Sequence, residues 1–257
     1  MKILIFGSCS GTEPFADRHH TSFAMELNNR IYWFDAGENC SYTAYLMGVD
    51  LHAVSDIFIS HPHMDHVGGL GNLLWNIRKL SAVNNSLPHF DGVRVYSPNM
   101  QTLNAVLTIL KQAEGNYQTS YPTTFKKVFD GVLMENNDIQ VEAIHNNHLV
   151  QTSEGWQSFS FRIHAENKKL VYSGDIAGVD DLDEFLKDGC DALLMETGHH
   201  AAEDICRYIV EKQYLVKSIY FLHHGRRILH DFDGELQRCK DVFPNVYFCN
   251  DKDVFTI

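Results

Sequence analysis

Residues 60–70 read Ser-His-Pro-His-Met-Asp-His-Val-Gly-Gly-Leu, so that His61, His63, Asp65 and His66 form the pattern His-x-His-x-Asp-His. Imidazole and carboxylate are the usual ligands of catalytic divalent metals. Residues two apart in an extended segment point the same way, which lets His61 and His63 converge on one ion. Asp65 and His66, where the chain turns into a following helix, can reach a second ion close by. With 15 histidines in 257 residues, composition alone produces such a match roughly 0.4% of the time, so the pattern outweighs a plain polar loop. A closed structural zinc site draws mainly on Cys and His, and the aspartate argues against one. The six cysteines contain no Cys-x-x-Cys pair, which fits neither a disulfide framework nor a thiolate site.

The cluster needs a rigid support, and the run Asp56-Ile57-Phe58-Ile59 just before it predicts a strand buried on both faces. Strands are also predicted at Lys2 to Phe6, Ser22 to Leu27 and Ile31 to Phe34, with a hairpin turn at Asn28-Asn29. A helix over Ser41 to Met47 is stopped by Gly48. A second follows the cluster from Val67 to Leu80, with Gly68 and Gly69 permitting close approach to the strand. Then come a strand at Val93 to Tyr96, a helix from Met100 to Lys111 and an irregular stretch, Ala113 to Gly131. Strands are read at Ile139 to Ile144, Gln157 to Ile163, Leu170 to Tyr172, Ala192 to Met195, Ser218 to Leu222 and Val246 to Phe248. Helices are read at Asp181 to Leu186, Glu203 to Lys212 and Phe232 to Lys240. The pattern predicts two sheets covered by helices, in one α/β domain over 1–257.

Composition narrows the function. Lys plus Arg total 21 against 33 for Asp plus Glu, a net charge of −12, which disfavours a general nucleic-acid surface. Four apolar residues after Lys2 are too few for a signal-peptide core, and no stretch reaches the ~20 needed to span a bilayer. The expectation is a cytoplasmic protein with reduced thiols and no membrane partner.

With the first cluster, Phe34-Asp35-Ala36-Gly37-Glu38 and Val171-Tyr172-Ser173-Gly174-Asp175 give a sequence that resembles the metallo-β-lactamase-fold hydrolases from Met1 to about His224. The resemblance implies a four-layer αββα sandwich with its site at the edge of two sheets. It implies one metal site of His61, His63 and a third histidine, a second of Asp65, His66 and a final histidine, and Asp175 bridging. The third histidine is taken as His148, before a strand resembling Phe159 to Ile163, with His145 as the alternative. The final one is taken as His223, leaving His224 as a substrate-facing or supporting group. Asp35 is read as orienting the cluster. Glu196 and Thr197 match a His-Glu-Ala-Thr motif only in part, and His200 or His199 is the candidate proton donor. Asp65, His200 and His224 are the catalytic candidates. His19 and His20 stay open, and His52, His89, His164 and His230 are read as surface or strand positions without a role.

The function this implies is hydrolysis by a hydroxide shared between two divalent ions, zinc in the first place, manganese or iron otherwise. An aspartate at the bridging position argues against a β-lactamase, and the ~34 residues after His223 are too few for the helical domain of a glyoxalase-II-like thioesterase. Ser-Gly-Asp, Gly7-Ser8-Cys9-Ser10-Gly11 and the Phe-Arg-Ile strand most resemble the ribonuclease Z and phosphodiesterase branch. No Gly- and basic-rich arm for tRNA is present, which points to a small-molecule ester: a small phosphodiester or cyclic phosphate. The alternatives are a lactonase or other carboxyl-ester hydrolase, ribonuclease Z-like RNA 3′-end processing, and a non-catalytic metal-binding sensor. A homodimer is compatible, since relatives often pair.

Overall fold

A computed structural model describes residues 1–115 and 117–257. Asn116, inside the stretch read as irregular, lies outside the described residues. The first sheet contains β1 (Lys2–Gly7), β2 (Ser22–Leu27), β3 (Arg30–Phe34), β4 (Val54–Phe58), β5 (Val93–Ser97) and β6 (Thr123–Lys127). The second contains β7 (Gly131–Glu135), β8 (Ile139–His145), β9 (Phe159–Ala165), β10 (Lys168–Tyr172), β11 (Ala192–Thr197), β12 (Ile219–His224) and β13 (Val246–Phe248). The chain then crosses back, and β14 (Val254–Thr256) pairs antiparallel with β1.

Strand order is β14-β1-β2-β3-β4-β5-β6 in one sheet and β13-β12-β11-β10-β9-β8-β7 in the other. Each sheet has an antiparallel part and a parallel part, β3 to β6 and β10 to β13. The carboxyl ends of β3, β4, β10, β11 and β12 carry Asp35, His61, Asp175, Glu196 and His223. Parallel strands make that edge the natural place for a site.

Ile3, Ile5, Phe23, Phe34, Phe58, Phe161, Ile163 and Tyr172 fill the space between the sheets. Phe34 stacks on Phe58 at 5.0 Å and meets Phe161 edge-on at 5.8 Å. The outer face of the first sheet is covered by α1 (Cys40–Leu46), α3 (Leu70–Val83) and α4 (Met100–Ala113). That of the second is covered by α5 (Asp183–Leu186), α6 (Ala202–Glu211) and α8 (Phe232–Val242). This is the expected four-layer αββα sandwich. Helical spacing accounts for the packing of α3, which buries Leu70, Leu73, Leu74 and Ile77 on one face. Asn99 caps α4 by accepting from the Thr102 amide at 2.8 Å.

Several expectations change. The helix read from Val67 to Leu80 is two elements, α2 (Met64–Val67) and α3, broken at Gly68-Gly69. Only glycine fits at position 69, because a Cβ there would stand 2.1 Å from the Gly37 carbonyl oxygen. Strand β6 lies in the stretch read as irregular, where Thr123-Thr124-Phe125-Lys126-Lys127 carries one large apolar residue. It is an edge strand, which needs no buried face and tolerates lysines. The short β7, β14 and α7 (Arg226–His230) also lacked a readable period. His52 is buried rather than at the surface.

Candidate metal centre

His61 follows β4 through Ser60, His63 sits at the amino end of α2, and Asp65 and His66 occupy its single turn. The turn after β10 delivers Asp175, the loop after β8 delivers His148, and His223 lies in β12. Three groups of donor atoms form, each within 4.8 Å: His61, His63, His148 and Asp175; Asp65, His66, His223 and Asp175; and Glu196, His199 and His223. Asp175 is common to the first two. Its Oδ2 is 3.6 Å from His61 Nε2, 3.8 Å from His148 Nε2 and 3.3 Å from His223 Nε2, and its Oδ1 is 3.3 Å from His66 Nε2. Asp65 Oδ2 is 3.1 Å from His223 Nε2 and 3.5 Å from His66 Nε2.

These spacings suit ions held between donors. His61 Nε2, His66 Nε2 and Asp175 Oδ1 are buried without a hydrogen-bond partner, a costly state for polar atoms unless a cation satisfies them. Among the described residues, Asp35, Asp65 and Asp175 pair with histidines and with no lysine or arginine. Burial pushes the His61 pKa well below its usual value, aided by the neighbouring His66. Burial opposes charge on His66 as well, but the Asp175 and Asp35 carboxylates outweigh it and raise the pKa well above the ordinary range. Burial likewise disfavours the Asp65 carboxylate, yet His223 and His66 hold its pKa far below the usual range. The pocket thus demands positive charge at its middle, and the donor set fits divalent ions.

Asp35 supports this arrangement from behind. It adopts a left-handed backbone with φ 51° and is fully buried. Its Oδ1 accepts from the Ser60 amide at 2.7 Å, and its Oδ2 from His66 Nδ1 at 2.9 Å, Ser60 Oγ at 2.7 Å and Tyr172 Oη at 2.5 Å. His66 Nε2 is thereby turned to Asp175. Ser60 Oγ also lies 3.0 Å from His61 Nδ1. Ser60 and Tyr172 escape a reading by residue type, because hydroxyl groups carry no motif of their own.

Of the two alternatives for the third histidine, His148 joins the cluster, 3.4 Å from His63. His145 instead pairs with Asp130 at 2.7 Å and stacks on Trp156 at 4.1 Å. His224 is not substrate-facing: its ring is buried, bonded to Thr197 Oγ1 at 3.0 Å and donating to the Cys249 carbonyl at 2.9 Å. Burial pushes its pKa down to about 3. His200 donates to the Ile176 carbonyl at 3.1 Å, which ties its ring away from the opening. Of His199 and His200, His199 is the more exposed, at 43%. Its Nδ1 lies 3.7 Å from Asp175 Oδ2 and 3.2 Å from Glu196 Oε1, and its ring centre 4.8 Å from that of His148. Its hydrogen bond to the Glu196 carboxylate raises its pKa. His20 lies 3.8 Å from Glu38, and the His19 amide donates to Asp251 at 2.6 Å. An open cavity of about 790 Å³ is lined by the starts of β10 and β11, including Lys168 and Asp191, at the other end of the strands that carry the centre. Chemistry rather than volume locates the site.

A profile of the family described as anti-Pycsar protein Apyc1 matches residues 1–204. The chain is 29% identical over 170 residues to a ribonuclease Z of Staphylococcus saprophyticus, covering 64% of this chain and 50% of that protein. It therefore spans about half the length of such curated relatives. Human tRNase Z, short form, superposes with a TM-score of 0.74 at 16% identity, covering 100% of this chain and 99% of that one. The metallo-beta-lactamase fold protein YhfI of Bacillus subtilis gives 0.74 at 18% identity, covering 99% of each. These likenesses show the metallo-β-lactamase fold, close in sequence to ribonuclease Z. With the profile covering most of its length, the chain belongs to the anti-Pycsar protein Apyc1 family.

Proposed function

We propose that the chain is a metal-dependent phosphodiesterase acting on a small phosphodiester or cyclic phosphate. The observation that carries this reading is the pair of His/Asp donor sets sharing Asp175, with three carboxylates that pair, among the described residues, with no lysine or arginine. Two divalent ions there, zinc by the imidazole content and manganese or iron as substitutes, would activate water and stabilise charge on the attacking and leaving oxygens.

The chain's own residues supply the rest. Asp35 and Ser60 hold His66 and His61 in orientation, which removes a reorganisation cost from the reaction. Asp65, 12% exposed, stays ionised beside the centre and can orient the attacking water by accepting its hydrogen bond. His199 stands over the opening with a raised pKa and can give its proton to the departing oxygen. A negatively charged ester approaches a protein of net charge −12, so binding must rest on the centre itself and on these histidines.

The test is turnover of bis(p-nitrophenyl) phosphate and of cyclic nucleoside monophosphates by protein loaded with zinc or manganese, with Asp175→Ala as control. Wild-type turnover lost in the variant supports the proposal. Turnover of lactones or carboxyl esters alone, with both ions bound, overturns it. The sequence likeness to ribonuclease Z supports a second reading, cleavage at RNA 3′ ends, which a precursor tRNA substrate tests in the same assay.

A further inference from the structure

Glu196 is buried to 1% exposure near the end of β11, where the register against β12 shifts between Glu196 and Thr197. A carboxylate removed from water needs partners, and this one faces three histidines. Oε2 accepts the His199 amide at 2.9 Å and lies 3.6 Å from His223 Nδ1. Oε1 is 3.2 Å from His199 Nδ1 and 3.6 Å from His200 Nε2. His223 Nδ1 is buried and has no hydrogen-bond partner of its own. On the other side of that ring, Nε2 faces Asp65 and Asp175. The backbone gives the ring little choice: His223 has φ 53°, and a Cβ on Gly198 would stand 2.6 Å from its Cε1 and Nδ1.

We infer that Glu196 is the positioning residue of this centre: one carboxylate presents His223 Nε2 to Asp65 and Asp175 and holds His199 over the opening. The inference rests on the ligand set proposed above. A neutral imidazole has one N–H and one lone pair. A carboxylate on the Nδ1 side draws the proton there and leaves the lone pair on Nε2, where a metal needs it. The 3.6 Å separation becomes a hydrogen bond with about 0.6 Å of ring movement, a shift that a ligand bond at Nε2 can impose. The same group fixes His199 twice, through its amide and its ring. Occupancy of the Asp65/His66/His223 site and the placement of His199 are therefore set by one side chain.

The experiment uses the full chain and Glu196→Gln, which keeps shape but removes the charge that serves two imidazoles. Zinc affinities of both sites are read by competition with a chromophoric chelator, and the cobalt-loaded protein by its visible spectrum. The expected result is two ions in the wild type. In Glu196→Gln the first affinity is unchanged, the second is about 10–100-fold weaker with a changed cobalt spectrum, and the chelator-treated protein melts as the wild type does. At saturating metal, His199→Ala lowers kcat less in the Glu196→Gln background than in the wild type, because Glu196→Gln has already released His199. Unchanged affinities and spectrum overturn the inference, as does a third ion in the wild type that Glu196→Gln lacks, which makes Glu196 a ligand. A wild type that takes up no second ion overturns the ligand reading and this inference with it. Should Glu196→Gln fail to fold, Glu196→Asp keeps the charge, withdraws it by one methylene and carries the same expectation.

Discussion

Asp35 Oδ2 and His66 Nδ1 stand 2.9 Å apart with both side chains fully buried, so the face His66 shows to Asp175 is decided on the far side of its ring. Asp35→Asn removes the acceptor charge while keeping the shape. The variant is expected to bind metal about 10–100-fold more weakly than the wild type, with the far-ultraviolet spectrum unchanged. Equilibrium dialysis against zinc checks it.

Asp175→Ala should act on both donor sets together. Its carboxylate is within 3.8 Å of His61, His66, His148 and His223. The expected outcome is loss of metal at both sites under conditions where His148→Ala affects only one. Elemental analysis of the two proteins after gel filtration distinguishes these cases.

His199→Ala should lower kcat by about 10²–10⁴-fold on an alkyl phosphodiester, the range for a positioned acid. On bis(p-nitrophenyl) phosphate, whose leaving group needs no proton, the loss should be far smaller. His200→Ala, whose ring is tied to the Ile176 carbonyl, should show no such difference between substrates. A kinetic comparison of the two esters decides it.

How far the site could be read beforehand depended on what kind of signal each residue gives. His61, His63, Asp65 and His66 lie within six residues, and the fixed two-residue period of an extended chain makes their convergence legible. Asp175 and His148 come from far along the chain, and only their resemblance to family motifs pointed to them. The pair His223-His224 was the hard case. Neighbouring residues point to opposite sides, and which side faces Asp65 and Asp175 depends on the left-handed turn at His223, which type and spacing do not reveal. His199 against His200 was decided by the Glu196 carboxylate, a packing fact. In the fold, strands buried on both faces announced themselves as apolar runs, whereas β6, β7 and β14 lie at sheet edges or are three to five residues long, where the pattern need not repeat.

His224 should make the fold acid-sensitive. Its pKa is depressed from 6.5 to about 3 by burial, so between those values the unfolded chain binds the extra proton and stability falls as pH falls. From about pH 7.5 to about pH 4.5 the loss is about 3 kcal/mol. His224→Gln should lose less over the same interval. Urea midpoints of both proteins in chelator, at the two pH values, measure the difference. The comparison between variants cancels His66 and His223, whose raised pKa values act with the opposite sign, stabilising at low pH and losing that contribution as pH rises.

Gly69→Ala should destabilise by about 1–3 kcal/mol, the cost of forcing extra volume into a packed contact. The new methyl would meet the Gly37 carbonyl oxygen at 2.1 Å, and both partners are backbone. Gly71→Ala, whose Cβ would meet only a Val106 methyl at 3.6 Å, is the comparison expected to keep wild-type stability. Thermal unfolding of the two variants gives the answer.

The crossing from β13 back to β14 brings the end of the chain to its beginning. Asp251 accepts from the Ser8 amide at 2.9 Å, its hydroxyl at 2.7 Å and the His19 amide at 2.6 Å, and Arg18 donates to the Cys249 carbonyl and to Asn250. Between those anchors lies Gly11, whose α-carbon is so close to Asp65 that a Cβ would stand 2.9 Å from the carboxylate. A wall of the centre is therefore built from segments some 240 residues apart, a long and entropically costly loop closure. Binding competence should be acquired late in folding: after dilution from denaturant, the strands regain their circular dichroism first, and tight metal uptake waits until the last segment has docked.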